Sequence, residues 1–256
     1  IETLWYLLRK IYDKGLLYKG FSIQPYSPSD GTGLSSHELN QPGCYKDVTD
    51  TTATVQFEVI KDAKSQPLFG LETLPVYFLA WTTTPWTLPS NVALCVNPTE
   101  VYCKVKAADG YTYYMAEALL DKVLGKLGSE DTPAYEVLEK YVGKDLEYKA
   151  YEPLFECTGA EAARQKKKAH YVTADNYVTM SDGTGIVHIA PAFGEDDSRV
   201  GREYDLPFVQ FVDGKGDMTA ETPYAGVFVK KADPLVLQDL DKEGKLFDAP
   251  KFEHDY

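Results

Sequence analysis

Hydrophobic positions recur along this chain in two periods, and the changes from one to the other outline its elements. Leu4, Leu7, Leu8 and Ile11 follow the i, i+3, i+4, i+7 spacing of one helical face, so an amphipathic helix is expected, ending near Gly15. Residues 16–26 read as extended and residues 28–33 as a turn. Val55, Phe57 and Val59 alternate with polar residues, which predicts a half-buried strand over residues 51–60. Residues 75–81 form a further expected strand, with short ones at 92–96 and 101–105. Asp109-Gly110 supplies the turn chemistry for a hairpin onto residues 111–115. Residues 116–127 and 134–141 read as helices, and residues 153–170 as a poorly patterned connector. The turn Asp182-Gly183-Thr184-Gly185 opens a strand at 186–190, and residues 194–204 form a helix with acids in its first turn. A strand at 208–212 and a glycine turn follow. Asp233-Pro234 has the form of an N-cap with proline at the first helical position, opening a helix to about residue 243. Many short strands with a few helices, and no repeats, imply an α+β fold: a distorted β-barrel core with peripheral helices.

Two stretches carry more than this pattern needs. The first is Trp81-Thr82-Thr83-Thr84-Pro85-Trp86-Thr87-Leu88-Pro89-Ser90-Asn91. Pro85 disfavours helical geometry at Thr84, and the two prolines remove two backbone donors and stiffen the loop. A rigid loop crowded with hydroxyls between aromatic faces suits a small polar ligand with a planar group. The same letters also suit a β-branched strand with a proline-rich turn after it, and the residues alone do not choose. The second stretch runs from Gly183 to Asp197 (GTGIVHIAPAFGEDD). Ile186, His188 and Ala190 share one strand face, and the small alanine leaves room above the histidine. A core histidine with a satisfied hydrogen bond is the plainer reading. Glu195, Asp196 and Asp197 suit a helix start through the dipole. One of them facing a pocket would also receive an ammonium group, through a contact worth about 1.5–3 kcal/mol.

Composition narrows the chemistry further. With 256 residues, 44% of them hydrophobic, the chain buries a substantial core. No apolar run exceeds about eight residues, far short of a membrane span. The chain starts directly in an amphipathic pattern, without the features of a signal peptide. The four scattered cysteines lack a CxxC pair, so reduced thiols in a cytoplasmic protein and no metal site are expected. A net charge of −13 argues against broad binding along nucleic-acid phosphates, though not against a grip on one end. The one basic run, Arg164 with Lys166, Lys167 and Lys168, reads first as a solvated surface helix. GxGxxG, Walker A, GxSxG and HExxH patterns are missing, which speaks against a dehydrogenase, an NTPase, a serine hydrolase and a zinc protease.

Taken together, the two stretches resemble the editing (CP1) domain inserted in isoleucyl-tRNA synthetases of class I, in its eukaryote-like form. WTTTPWTLPSNVAL at 81–94 is similar to the threonine-rich signature of that domain, and GTGIVHIAPAFGEDD at 183–197 to its second signature. GLLYKG at 15–20 and GCYKDVTD at 43–50 match the segments leading into it. Valyl and leucyl relatives usually carry Thr-Thr-Arg-Pro at the first signature, where this chain has Thr-Thr-Thr-Pro followed by Trp86. The HIGH-type and KMSKS-type signatures of the catalytic core are missing. The expectation is therefore one editing domain over 1–256, with 1–45 and 245–256 as connecting segments toward a catalytic core, and no formation of aminoacyl-adenylate.

The resemblance implies hydrolysis of valine esterified in error to the isoleucine tRNA, and possible action on valyl-adenylate as well. One methylene gives only about 1–3 kcal/mol of discrimination, so a second sieve is needed; the isoleucyl enzyme's own valine problem is the usual illustration of this range, which is general and no result from this chain. By resemblance, Asp197 holds the α-ammonium and His188 lines the side-chain pocket. Thr82, Thr83 and Thr84 hold the terminal adenosine and the ester. Trp81, Asn91, Gly183 and Gly185 complete the expected substrate-binding set. A positioned water needs no nucleophilic side chain to cleave an activated ester; a ribose hydroxyl or a threonine hydroxyl would help it. No cofactor is implied. The implied partners are the valine-bearing 3′ end of tRNA(Ile) and the rest of the synthetase, with the domain itself monomeric. The alternatives are a non-hydrolytic aminoacyl- or nucleotide-binding module and the editing domain of the valyl enzyme.

Overall fold

The structure, a computed structural model, describes residues 1–20, 22–27, 30–69 and 75–255. Pro28 and Ser29 of the expected turn, and Tyr256, lie outside the described residues. In chain order come α1 (Glu2–Asp13), β1 (Tyr26–Ser27), β2 (Thr32–Gly33), α2 (Ser36–Leu39), β3 (Asp47–Thr51), β4 (Ala53–Glu58), α3 (Gln66–Phe69) and β5 (Val76–Thr82). Then follow β6 (Ala93–Val96), β7 (Val101–Ala107), β8 (Thr112–Ala116), α4 (Leu120–Leu124), β9 (Tyr135–Val142), α5 (Gly143–Leu146) and α6 (Glu156–Gln165). The last are β10 (Tyr171–Ala174), β11 (Ile186–Ile189), α7 (Glu195–Glu203), α8 (Val229–Lys242), β12 (Leu246–Asp248) and β13 (Lys251–Asp255).

Nine of these strands form one sheet in the order β10-β6-β11-β5-β8-β7-β9, with β4 also on β5 and β12 on β4. β5 is the branch point. β4 lies antiparallel along most of its length, β8 runs parallel to its first half, and β11 meets its end at Val187↔Trp81. A sheet that divides at one strand cannot stay flat, and this one curls into a half-barrel, in keeping with the distorted β-barrel core expected. Its main core gathers residues such as Val55, Phe57, Phe78, Tyr114 and Leu94. α8 covers it with Ala232, Val236 and Leu240. A second cluster, including Val92, Cys95, Ile189, Val200 and Leu206, anchors α7 through Val200. α1 forms as expected but buries none of its residues; Leu4, Trp5, Leu7 and Ile11 are exposed. No helix among the described residues is long and apolar enough to cross a membrane.

Three expectations are corrected. Residues 134–141 are not a helix but β9, which pairs antiparallel with β7 around a bulge. Its Glu, Lys and Leu residues favour helix locally, yet the ladder to β7 overrides that preference. Being largely exposed at the sheet edge, β9 also carries the charges that guard such edges. Residues 208–212 are not a strand: only Val212 bridges, to Met218. Asp233-Pro234 does not open the last helix, which begins at Val229 and contains Pro234. Pro234 is the sixth residue of that helix and has no N–H, so one i→i−4 hydrogen bond is missing there.

The loop after β5 is stapled to the barrel by one buried pair. Asn91, 2% exposed, accepts from the Tyr151 hydroxyl at 2.7 Å and donates to the Ala93 carbonyl at 2.8 Å. Burial holds the Tyr151 phenol well above its ordinary pKa, so it stays a donor. Tyr151→Phe would leave the Asn91 carbonyl unpaired in the core. The expected loss is about 1–3 kcal/mol of stability, read as a lower urea midpoint with an unchanged slope.

Candidate functional site

The first stretch leaves the end of β5 and winds into a 3₁₀ helix, Pro85–Ser90. Pro85 at its start has no N–H to leave unsatisfied. Thr82 is buried, and its hydroxyl accepts from the Thr84 N–H at 3.1 Å. Thr83 and Thr84 are half-buried beside it. The next free donor, the Trp86 N–H, is taken by the Asp233 carboxylate from α8 at 2.8 Å. Burial pushes that carboxyl up to about 6. Asp233 therefore caps a helix far from it in sequence rather than its own.

The two stretches meet through Thr87. Its hydroxyl donates to the Thr84 carbonyl at 2.8 Å and lies 2.9 Å from His188 Nε2. A hydroxyl has one proton and a carbonyl has none. Both contacts are satisfied together only when His188 Nε2 carries the proton and donates. Nδ1 is then a bare acceptor, and it is shut off from solvent without a hydrogen-bond partner among the described residues. Burial lowers the His188 pKa to about 4. The ring is thus neutral near pH 7: a wall and an acceptor, too weakly basic to draw a proton efficiently.

Immediately after β11, the Ala190 N–H donates to Asp197 Oδ1 at 2.8 Å. This bond bends α7 back so that its first-turn carboxylate lies beside the strand end. Gly194 makes the approach possible, since a β-carbon there would collide with that carboxylate. Burial pushes the Asp197 carboxyl up to about 6, against the lowering effect of the Ala190 N–H. Trp86 and Phe193 pack edge to face at 5.0 Å and join the threonine loop to the loop that leads into α7, the helix that carries Asp197. The arrangement offers hydroxyls, one neutral imidazole and one isolated carboxylate, which can hold an ammonium group and orient a small acyl ester.

Thr82, Thr84 and His188 are brought together through Thr87, and Asp197 lies at the end of the same strand. The other expected residues stand elsewhere. Trp81 packs on Phe252 at 5.8 Å and over Gly183, where a β-carbon would meet its ring. Together with Lys122 and Lys126 they line a separate cavity of about 170 Å³. Gly185 abuts Ala116 and Met180, and Asn91 is committed to Tyr151. Thr87, Trp86 and Asp233 are the additions. Thr87 was within reach of sequence reasoning, because a threonine three residues after Thr84 suits a tight helical turn. Nothing local in the sequence pointed to Asp233. Among the described residues no group of three or more His, Cys, Asp or Glu could hold a metal ion.

No protein-family model matches the chain. Curated relatives do, over nearly all of its length. An isoleucine--tRNA ligase of Clostridium acetobutylicum is 45% identical over 257 residues, covering 100% of the chain and 22% of that protein. Those of Clostridium novyi and Bacteroides fragilis are 44% identical, covering 100% and 95% of the chain. The chain thus spans only about a fifth of the length of these relatives. Among solved structures, GlLeuRS-CP1 superposes with a TM-score of 0.62 at 15% identity, covering 78% of this chain and 99% of that one. The editing domain of the P. knowlesi cytosolic leucyl-tRNA synthetase gives 0.59 at 17%, covering 77% and 95%. At such identities these two speak for the fold alone. On its end-to-end sequence match the chain belongs to the isoleucyl-tRNA synthetase family, and its fold is that of the CP1 editing-domain structures.

Proposed function

We propose that this domain hydrolyses the ester of valine mischarged on tRNA(Ile). The observation that carries the reading is the junction of the two signature stretches: Thr84, Thr87 and His188 in one hydrogen-bonded chain, with the buried carboxylate of Asp197 at the end of the same strand. Asp197 holds the α-ammonium. His188, neutral at Nδ1, walls the side-chain pocket. Thr82, Thr83 and Thr84 hold the adenosine and ester end. Water adds to the ester carbonyl, the ribose oxygen leaves with a proton, and free valine and intact tRNA result. Polar groups fixed around the carbonyl stabilise the developing charge without reorganising. Valyl-adenylate presents the same ammonium and acyl group and would be a second substrate. The body of a larger synthetase supplies most of the tRNA grip, which suits a domain of net charge −13, working as a monomer in the cytoplasm.

Thr84 in place of an arginine before Pro85, with Trp86 following, favours isoleucine over valine as the parent specificity. The deciding experiment follows deacylation of Val-tRNA(Ile) and Ile-tRNA(Ile) side by side at high domain concentration. Faster loss of valine is the expected outcome. Equal loss of both would remove the sieve, and no loss of either would leave a binding module.

A further inference from the structure

Away from the threonine–histidine site, the basic run noted in the sequence meets an aromatic surface. An open cavity of about 600 Å³ is lined by Asp62, Lys64, Tyr148, Lys168 and Tyr171 among others. The Tyr148 and Tyr171 rings stack at 5.8 Å with 26° between their planes, and the Lys64 ammonium lies 5.5 Å from the Tyr148 ring centre. Lys149 donates to the Lys64 carbonyl and adds a further cation nearby. Asp62, the acid at the rim, is engaged by its own turn: its carboxylate accepts from the Lys64 and Ser65 N–H groups at 2.8 Å each. Lys167 is held by Asp205 at 2.8 Å, while Lys168 is exposed. The acids that face these rings, Glu147 and Asp205, are paired with Lys144 and Lys167, so Lys64, Lys149 and Lys168 against Asp62 leave this surface locally cationic in a chain of net charge −13.

The backbone reinforces the picture. Tyr148 has φ +64, a left-handed conformation that glycine or asparagine adopts far more readily. It is fixed by the Tyr148 N–H to the Val172 carbonyl at 2.7 Å and the Val172 N–H to the Lys149 carbonyl at 2.9 Å. The strain presents an exposed phenol ring rather than a buried one, and strain of this kind collects at functional surfaces. The position also matters. Tyr171 pairs with Ala93, and Ala93 with Ile189, the neighbour of Ala190 that holds Asp197. Two strand spacings, roughly 10 Å, separate the platform from that strand end.

We propose that Tyr148 and Tyr171, with Lys64 and Lys168, dock single-stranded RNA, one base lying on the Tyr148 face and phosphates on the two ammonium groups. Aromatic faces accept any base, and lysines track the backbone. Resting on the function proposed above, the segment bound is the unpaired strand that leads to the esterified end.

The test titrates the 256-residue chain with a fluorescently labelled, uncharged RNA octamer and follows anisotropy. Tyr148→Ala is expected to weaken binding at least fivefold, and Tyr148→Phe, which keeps the ring, to leave it unchanged. Lys64→Gln with Lys168→Gln is expected to flatten the plot of log affinity against log salt by about 1.4, the value for two lost phosphate contacts on a single strand. Equal binding by all variants would overturn the proposal, as would a Phe variant as weak as the Ala variant. Displacement of the octamer by AMP at equal concentration would also overturn it, leaving a mononucleotide pocket. Val-tRNA(Ile) deacylation is measured on the same samples. RNA binding with these dependences but no deacylation would uphold the platform and reject the hydrolase reading; deacylation with variant-independent RNA binding would do the reverse.

Discussion

Asp197→Ala is expected to abolish clearance of Val-tRNA(Ile), but the alanine variant alone removes two things. It takes away the negative charge proposed to hold the α-ammonium, and it strips the Ala190 N–H of its acceptor. The second loss leaves a buried donor unpaired, at about 1–3 kcal/mol of stability. Asp197→Asn separates them, because its amide oxygen can still accept from Ala190. The charge-assisted contact is worth about 1.5–3 kcal/mol over its absence, so kcat/KM should fall roughly ten- to 150-fold in the asparagine variant. Its thermal midpoint should stay near the parent value. An asparagine variant as active as the parent would mean that another group receives the ammonium.

The same variant pair gives a pH test with a definite sign. Burial pushes the Asp197 carboxyl up to about 6, and only the ionised form attracts an ammonium. At pH 5 roughly a tenth of the molecules are ionised there, and at pH 7 roughly nine-tenths. The ratio of parent to Asp197→Asn kcat/KM should therefore rise with pH through 6 and fall again as the α-ammonium loses its proton at about pH 8. Taking the ratio cancels the general rise of ester hydrolysis with hydroxide. His188, at about 4, is neutral throughout this window and adds nothing to the slope.

Features written in local chemistry were legible in the sequence. The Asp109-Gly110 hairpin forms between β7 and β8, and the strand-to-helix passage from β11 to α7 lies where the turn glycines and first-turn acids put it. What could not be read depends on partners distant along the chain. β9 looks helical until β7 offers it a ladder. Asp233 looks like an N-cap until the fold brings the Trp86 N–H to it, 147 residues away. Asn91 looks like a pocket residue until Tyr151, 60 residues on, claims its carbonyl. Trp81 and Gly183 belong to the expected set by resemblance, as the first residues of the two signatures. In space they border Phe252 and line another cavity.

His188→Ala is the variant expected to change what the domain accepts. The proposed pocket wall is an imidazole fixed at Nε2 by Thr87, so the ring cannot swing aside to admit a larger side chain. Truncation opens space for at least one methylene, whose burial favours binding by about 0.8 kcal/mol where a clash opposed it before. Discrimination between Val-tRNA(Ile) and Ile-tRNA(Ile) should then fall by roughly ten- to 200-fold, the range a single methylene commands. Isoleucyl ester becomes a substrate, and valyl ester is cleaved more slowly in a looser pocket. His188→Leu tests whether bulk or hydrogen bonding does this. Leucine restores much of the volume but cannot donate to Thr87 or accept at Nδ1. If the wall is steric, the leucine variant rejects isoleucine as the parent does; if the Thr87-fixed ring orientation is what matters, it discriminates as poorly as alanine. Unchanged discrimination in both variants would remove His188 from the pocket and point to Trp86 and Phe193, which pack together beside the threonine loop, as the next residues to test.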